Sequence, residues 1–394
     1  MEIDLNQGWR LIRQKQYSEA EAFFKKAASK ASQRAEALNA LAKIAQVRRN
    51  FDLKLEYLDE LAILTPENLN ARLMRAHLRG LRGNTVQYKQ EVAKIMEELS
   101  MAPFQPKPVF RKLLRGIQFL FSNGEKVQYM LKLLELINQS IGKHSAPPGQ
   151  TRLFKAELLL ALGDVDQMVS EIAAITKEYQ GLPGLGGLKK VAKKAQSPQY
   201  PDYNAPKIFG IGLSRTGTSS LDQAFRLLGF HSVHWTNPFT QTIVGNQDFV
   251  LFDAFSDISV SYQFEKLYHT FPNARFVLTT RELSSWVKSI TNHYRNKSGF
   301  DSPSALTQSN RENRYEGVVK EMEWGLYGQN KSWEESYLQH YRRVYHFFSN
   351  KPEGRLLELN ICGGEGWSKL CPFLDKPVPD FPFPNKNKGR VYSS

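Results

Sequence analysis

The chain has 394 residues, of which 41% are hydrophobic and 23% are charged, so it is long enough for two or three globular domains and has neither a disordered nor a fibrous composition. Because no apolar run approaches the roughly 18 residues that span a bilayer, and the first residues carry acids in place of a basic and then apolar start, we expect no membrane span and no secretory signal. Its 2 cysteines are too few for a disulfide framework or a four-ligand zinc site.

The positive charge is concentrated in the first half of the chain. The whole sequence has a formal net charge of +14. Residues 1–200 contain 31 Lys and Arg against 20 Asp and Glu, a balance of +11, whereas the remaining residues contain 22 against 19, a balance of +3. A basic half of this kind favours an acidic partner or surface, although solubility alone also accounts for it.

A 34-residue period runs through the first part of the chain. Tyr17, Phe51 and Thr85 are 34 residues apart, and each follows a polar turn. The apolar residues after Tyr17 have the i, i+4, i+7 spacing of one helix face. This period resembles the tetratricopeptide repeat, a helix-turn-helix unit that stacks on its neighbours, and the resemblance predicts an all-α helical-repeat domain over residues 1–180. An irregular helical bundle stays open as the alternative.

Strands and helices alternate in the second half. Glycine and proline are dense in residues 181–206, which predicts a linker there. From Lys207 to Ser394 we expect strands at KIFGIGL, DFVLFD, ARFVLTT and RLLELNI, and helices at SLDQAFRLLGF, YQFEKLYHTF and ELSSWVKSI. This alternation is typical of a mostly parallel sheet that helices cover on both faces, so residues 207–394 are predicted to form an α/β domain.

The segment between the first predicted strand and helix, from Gly212 to Ser220, reads GLSRTGTSS. Glycine allows sharp turns that aim several backbone N–H groups at one point, and the next helix adds the positive end of its dipole, so the segment predicts a phosphate site. Arg215 adds a fixed cation. Hydroxyl donors come from four positions: Thr216, Thr218, Ser219 and Ser220. A nucleoside-triphosphate loop would have lysine where Thr218 stands, which disfavours an ATPase.

The run SRTGTSSL resembles the 5′-phosphosulfate loop of sulfotransferases that use 3′-phosphoadenosine 5′-phosphosulfate (PAPS). The resemblance implies a P-loop-like, three-layer α/β sulfotransferase domain with PAPS as co-substrate and no metal. It also implies that Arg215 contacts the bridging and transferring sulfuryl oxygens, and that residues 216–220, Gly217 included, hold the phosphate. The family usually has lysine in place of Arg215. Because arginine keeps its proton, we expect electrostatic stabilisation rather than proton donation from this residue.

Two further elements are similar to the same family. Arg281 follows the predicted strand ARFVLTT and Ser289 stands eight positions later, an arrangement that resembles the 3′-phosphate site of sulfotransferases. The order of the last motifs, from LLELNI to KNKGR, is similar to the end of a sulfotransferase family with many bacterial members. Lys388-Gly389-Arg390 resembles a loop that closes over the nucleotide, and a solvated basic tail is the alternative.

Three residues compete as the general base that takes the proton of the acceptor. The segment Ser256-Asp257-Ile258-Ser259 stands where cytosolic sulfotransferases have His-Leu-Pro, 24 residues before Arg281, so the resemblance favours Asp257. Asp253 and His234 stay open, since an ordinary aspartate is a weak base at neutral pH and histidine has the better intrinsic pKa. His231 and His234 have no third ligand pattern beside them, so a metal role is not expected.

The sequence therefore predicts transfer of a sulfuryl group from PAPS to a hydroxyl or amine of an acceptor that it does not identify: a glycan, a lipid, a small molecule or a protein. The repeats would bind a protein or an acidic partner, with no specific nucleic acid, and the cytoplasm is the default location. Two alternatives stay open. One is a P-loop kinase in which Asp253 holds Mg²⁺, which the missing lysine disfavours. The other is a non-catalytic scaffold with a nucleotide-sensing domain.

Overall fold

A computed structural model shows two compact units, whose boundary lies between residues 147 and 148. The structure describes residues 3–48, 50–81, 84–101, 107–121, 123–142, 149–298, 301–305 and 318–385.

The first unit consists of helices that follow one another closely along the chain. They are α1 Leu5–Arg13, α2 Tyr17–Ala28, α3 Ala31–Val47, α4 Phe51–Leu64, α5 Leu69–Leu81, α6 Thr85–Met101, α7 Lys107–Leu120 and α8 Asn123–Gly142. Helices α2, α4 and α6 begin at the three residues that the 34-residue period marks, so the period corresponds to successive helix starts. The tetratricopeptide resemblance itself stays a prediction.

Small and aromatic residues pack together where α1 meets α2. Ala20, Phe24 and Ala27 are completely buried on one face of α2, and the ring of Trp9 on α1 packs edge-on against Phe24 with the centroids 5.4 Å apart. Alanine at these positions lets neighbouring helices approach closely, and the aromatic rings fill the remaining space.

The second unit begins with three helices: α9 Gly149–Leu162, α10 Val165–Glu178 and α11 Leu185–Ala195. The linker predicted over residues 181–206 therefore contains a helix. Its glycines and prolines lie at and around the ends of α11, whereas Leu188 and Val191 are buried on one face of it. The boundary between the compact units also lies before residue 180, where the end of the repeat domain was predicted.

A five-stranded parallel sheet forms the centre of the second unit. Its strands are β1 Ile208–Gly210, β2 Ser232–His234, β3 Ala254–Ser256, β4 Arg275–Thr279 and β5 Leu356–Leu359, in the spatial order β2-β3-β1-β4-β5. Every paired neighbour is parallel. The predicted α/β class of this half is confirmed.

Helices connect the strands and cover both faces of the sheet. They are α12 Thr218–Leu227, α13 Asn246–Leu251, α14 Ile258–Ser261, α15 Phe264–Thr270, α16 Leu283–Ser298, α17 Val318–Glu323, α18 Trp333–Phe348 and α19 Trp367–Phe373, with a π-helical turn at Trp324–Gly328 and a 3-10 turn at Ile361–Gly363. Because side chains alternate along a strand, Phe209 packs on one face against Phe255 and Phe276, and Ile208 packs on the other face in the cluster that includes Trp367.

The strand predicted at DFVLFD is wrong, because residues 246–251 form α13. The carboxylate of Asp248 accepts the backbone N–H of Gly245 at 2.9 Å, which caps the helix start. Phe249, Val250 and Leu251 are all buried, so the run has no alternation of polar and apolar residues. A short apolar run without such a pattern does not distinguish a buried helix from a buried strand. The neighbouring strand β3 begins after this run. Strand β2, of three residues, was not predicted.

The strand register brings the carboxyl ends of the strands together at one edge of the sheet. Gly210 of β1 pairs with Ser256 of β3 and with Val277 of β4, and His234 of β2 pairs with the same Ser256. Segments that follow these strands therefore start beside one another. In open α/β sheets ligands bind at this edge, beside the strand where the strand order reverses. Here that strand is β1, which has β3 on one side and β4 on the other.

Candidate active site

The loop after β1 has the geometry of an anion site. Gly217 has a φ of +103° and is the N-cap of α12, a conformation that favours glycine. A Cβ on Gly212 would lie 1.9 Å from the hydroxyl oxygen of Thr279, so only glycine fits there. The amides of Gly217, Thr218 and Ser219 have no hydrogen-bond acceptor among the described residues. Three N–H donors at the start of a helix are suited to a phosphate.

Buried side chains hold this loop in shape. The Thr216 hydroxyl donates to the Leu213 carbonyl at 2.7 Å and lies 2.6 Å from the Thr279 hydroxyl. The Trp286 indole donates to the Ser214 carbonyl at 2.9 Å. Thr216 was predicted to contact phosphate. Its side chain is completely buried and its hydroxyl is already bonded, so it stabilises the loop instead.

Tyr327, in the π-helical turn, binds the other side of Ser214. Its hydroxyl accepts the Ser214 N–H at 3.1 Å, and its side chain is completely buried. Burial raises the pKa of Tyr327 well above its ordinary value, so the phenol stays protonated. Sequence reasoning missed this residue, which is 113 positions away from its partner. Single π-helical turns are frequent at functional sites.

Arg215 and Arg281 come together at the loop. The Arg215 Nε donates to the hydroxyl of Ser289 at 3.1 Å, and Arg281 Nη1 donates to the Arg215 carbonyl at 3.0 Å. Ser289, predicted beside Arg281 at a 3′-phosphate, thus has the other arginine as its partner. These contacts connect the two elements that the sequence singled out.

Two residues that sequence reasoning missed fix Arg281. Its Nε and Nη2 donate to the Ser285 hydroxyl at 3.0 and 2.9 Å. The Tyr337 hydroxyl donates to the Arg281 carbonyl at 2.5 Å and accepts the Arg281 N–H at 3.2 Å. The i, i+4 spacing of Ser285 could have indicated it, whereas Tyr337 lies on α18 and has no local signal.

Two of the three predicted base candidates are neighbours. Asp257 Oδ2 lies 3.6 Å from His234 Nδ1, and their side chains are 15% and 22% exposed. Asp257 Oδ1 accepts the Ile258 N–H at 2.9 Å and the Ser214 hydroxyl at 3.2 Å. His234 Nε2 lies 3.1 Å from the Ser219 hydroxyl. The imidazole and the carboxylate therefore belong to one cluster with the loop.

Asp253, the third candidate, lies at the opposite edge of the sheet. It precedes β3, and its carbonyl accepts the N–H of Ile208 at the start of β1. Its carboxylate pairs with Lys194 and accepts the His231 N–H at 2.8 Å. Burial opposes its ionisation, but the Lys194 ammonium and this amide outweigh burial and lower the pKa of Asp253. Asp253 is therefore separated from the loop and from the other two candidates, at the amino end of β3.

The segment after β5 borders the loop from the other side. A Cβ on Gly217 would lie 3.1 Å from the Cβ of Ile361. The thiol of the neighbouring Cys362 is influenced by both site arginines: burial raises its pKa, and Arg281 and Arg215 oppose that rise. Lys388, Gly389 and Arg390, predicted to close over the nucleotide, lie outside the described residues.

Among the described residues, no set of three or more His, Cys, Asp or Glu side chains is arranged to hold a metal ion. Likewise, none of the described helices is both long and apolar enough to span a membrane.

Residues 207–392 match the family model of the sulfotransferase domain, a match that supports a transferase of sulfuryl groups in general. A relative named Ava biosynthesis cluster protein M, from Aspergillus versicolor, is 29% identical over 212 residues, which cover 45% of this chain and 80% of that protein. The family match begins at Lys207, so it leaves the helices of the first unit and α9 to α11 unassigned.

Proposed function

We propose that the second unit transfers a sulfuryl group from PAPS to a hydroxyl or amine of an acceptor. One observation carries this proposal: three amides that have no acceptor among the described residues converge with Arg215 and Arg281 at the carboxyl edge of a parallel sheet. Backbone amides, hydroxyls and guanidinium groups are the donors that phosphate and sulfate oxygens prefer. The sulfotransferase-domain match over residues 207–392 supports the same reaction class.

The donor set fits a nucleotide with anionic groups at two ends. The amides of Gly217, Thr218 and Ser219 would bind the 5′-phosphate, because they start α12 and point out of its first turn. Arg281, held by Ser285, would bind the 3′-phosphate. Ser289 would add a hydroxyl between the two ends, since it accepts from Arg215.

Arg215 would stabilise charge during transfer. PAPS, when bound, supplies the sulfuryl group, and negative charge grows at the oxygen that it leaves. A fixed guanidinium at that end lowers the barrier without taking part in proton transfer. The backbone φ of Arg215 is +75°, a left-handed conformation that residues other than glycine rarely adopt. Strained residues of this kind cluster at active sites.

Asp257 would accept the proton of the acceptor at Oδ2. Its Oδ1 already takes two hydrogen bonds, from Ser214 and Ile258, so Oδ2 is the oxygen that has capacity left. His234, beside Oδ2, is the alternative base. A general base at this position contributes about 10²- to 10⁴-fold to the rate.

The test measures binding of the desulfated product, adenosine 3′,5′-bisphosphate (PAP), and transfer from PAPS to a panel of sugars, phenols and amines read by mass spectrometry. We expect Arg215→Ala to weaken PAP binding by roughly 10- to 100-fold, and to abolish any mass gain of one SO₃. Arg226→Ala is the matched control, because Arg226 lies near the end of α12, away from the loop, is half exposed and pairs with Asp222. Wild-type turnover in Arg215→Ala would refute the proposal.

A further inference from the structure

His234 joins the carboxylate of Asp257 to the first turn of α12. Its Nδ1 faces Asp257 Oδ2 at 3.6 Å. Its Nε2 lies 3.1 Å from the Ser219 hydroxyl and 3.3 Å from the Thr218 hydroxyl. Both hydroxyls belong to residues whose amides face the anion site. Nε2 of His234 therefore contacts the loop, and Nδ1 faces the carboxylate of Asp257.

The charges around the imidazole are unequal on its two sides. Asp257 is within ion-pair distance on the side of β3. On the side of α12, Asp222 is occupied by Arg226 and by the hydroxyl of Ser232. The fixed cations of the site, Arg215 and Arg281, lie at the same loop and contact each other through the Arg215 carbonyl.

We propose that His234 takes up a proton when an adenosine bisphosphate binds the loop, and becomes the third cation of the site. This inference rests on the proposed function with Asp257 as the general base, since a protonated His234 cannot take the proton of the acceptor. The incoming phosphate reverses the local balance of charge. Asp257 Oδ2 accepts the second N–H of the imidazolium with one lone pair, and its other lone pair is left for the proton of the acceptor. The proton comes from a hydronium ion or a buffer acid in the solvent, whose bond to that proton breaks as the N–H bond at the ring forms. Arginine keeps its proton, whereas the imidazole of His234 can gain a positive charge when an anion binds beside it.

The experiment is calorimetry of PAP binding to the full chain at pH 7 in two buffers with different heats of ionisation. The difference between the two apparent enthalpies gives the number of protons taken up. We expect net uptake by the wild type and a clear loss of that uptake in His234→Gln, whose amide can bond to the hydroxyls but cannot take a proton. From pH 6 to pH 8.5, wild-type affinity should fall about tenfold more than that of the variant. The ionisation of PAP itself is the same in both titrations.

His231→Gln is the matched control, since His231 precedes the same strand and stacks against Phe252 with the ring centroids 4.4 Å apart. Burial lowers the pKa of His231 to about 4, so this variant should keep the wild-type proton uptake. Asp257→Asn is the second test variant: it should also reduce the uptake, because it removes the carboxylate that holds the imidazolium.

The outcomes separate the two proposals. Equal proton uptake by the wild type, His234→Gln and Asp257→Asn, with PAP bound in each, would overturn the role of His234 alone. A wild-type chain that binds no PAP would overturn the proposed function, and the role of His234 with it. If His234→Gln does not fold, as its melting temperature would reveal, Asp257→Asn decides the question.

Discussion

Asp257 has a backbone φ of +90°, a conformation that costs a residue with a side chain about 1–3 kcal/mol. Two hydrogen bonds to Oδ1, from Ile258 and Ser214, hold it there. The strained backbone aims Oδ2 at His234. A strained, half-buried carboxylate beside an imidazole has a functional explanation in the proposed reaction, in which it accepts a proton.

The first prediction compares the two aspartates that flank β3. Asp257→Asn should lower kcat by about 10²- to 10⁴-fold, because the amide cannot accept a proton. Asp253→Asn should leave kcat within about threefold, since this residue is at the other edge of the sheet, although its lost pairing with Lys194 lowers stability by on the order of 1 kcal/mol. Steady-state kinetics and denaturant unfolding measure both. An equal loss of kcat in the two variants would contradict the assignment of Asp257.

The second prediction concerns the phenol that holds Arg281. Tyr337→Phe removes the hydroxyl that bonds to both backbone groups of Arg281, so PAP affinity should fall roughly 5- to 10-fold through loss of positioning. Tyr345→Phe is the control, because that hydroxyl is bonded to the exposed Glu358. Calorimetry with PAP measures both. Equal affinity of Tyr337→Phe and the wild type would show that Arg281 needs no such support.

At the scale of elements, the loop between β1 and α12 has a rigid frame. Gly212 lies so close to Thr279 of β4 that no side chain fits between them. Thr216 and Trp286 bond to loop carbonyls from inside. A loop fixed in this way keeps its amides aimed at one point, so little conformational entropy is lost when an anion binds.

The third prediction follows from this frame. Gly212→Ala should destabilise the second unit by several kcal/mol or displace the loop, and in either case abolish PAP binding, because the new Cβ would overlap Thr279. Gly186→Ala is the control, as nothing lies within 4 Å of the site of its Cβ, and alanine in a helix should raise stability by about 0.5–1 kcal/mol. Thermal unfolding and PAP calorimetry measure both. Normal PAP binding by Gly212→Ala would contradict the account of the loop.

The elements differ in how far the sequence predicts them. The loop and its anion chemistry follow from nine consecutive residues, and strands β4 and β5 follow from apolar runs. Strand β2 has three residues, too few to show a period, and α13 depends on a cap at Asp248 that an apolar run conceals. Tyr327 and Tyr337 could not be predicted, because their partners are distant in sequence and only the fold brings them together.

At the scale of the whole molecule, buried histidines make stability depend on pH. His340 of α18 is bonded to the carbonyl of Ile211 at 2.8 Å, and burial lowers its pKa to about 4. In the unfolded chain the pKa of histidine is about 6.5. Below that pH the unfolded state therefore binds a proton that the folded state excludes. The stability that the neutral, buried His340 gives the fold is fully present above a pH of about 6.5, and it is lost as the pH falls toward about 4.

The fourth prediction is therefore a fall in the free energy of unfolding of about 3 kcal/mol from this one residue between neutral pH and about pH 4. His340→Gln, which can still donate to the Ile211 carbonyl, should make that fall smaller by a similar amount, because glutamine does not titrate. Denaturant unfolding at a series of pH values measures both. An identical pH profile for the two proteins would contradict the buried, neutral state of His340.

The first unit carries much of the positive charge of the chain. Residues 1–147 contain 24 Lys and Arg against 15 Asp and Glu, a balance of +9. Helical repeats present extended surfaces that bind partners. We therefore propose that this unit binds an acidic acceptor or an acidic protein.

The fifth prediction is that a chain of residues 148–394 keeps the PAP affinity of the full protein and loses affinity for an acidic acceptor. The KM of that acceptor in the full chain should rise with salt, because attraction between exposed charges is screened over about 10 Å at 0.1 M ionic strength. Kinetics at several salt concentrations measure this. A KM independent of salt, or unchanged by the deletion, would remove the acidic-partner role from the first unit.

The most direct test of the central claim is a crystal structure of the chain with PAP. We expect the 5′-phosphate on the amides of Gly217, Thr218 and Ser219, and the 3′-phosphate on the guanidinium of Arg281. Density for PAP elsewhere, with the loop amides facing only water or with Arg281 turned away from the ribose, would contradict the proposed activity.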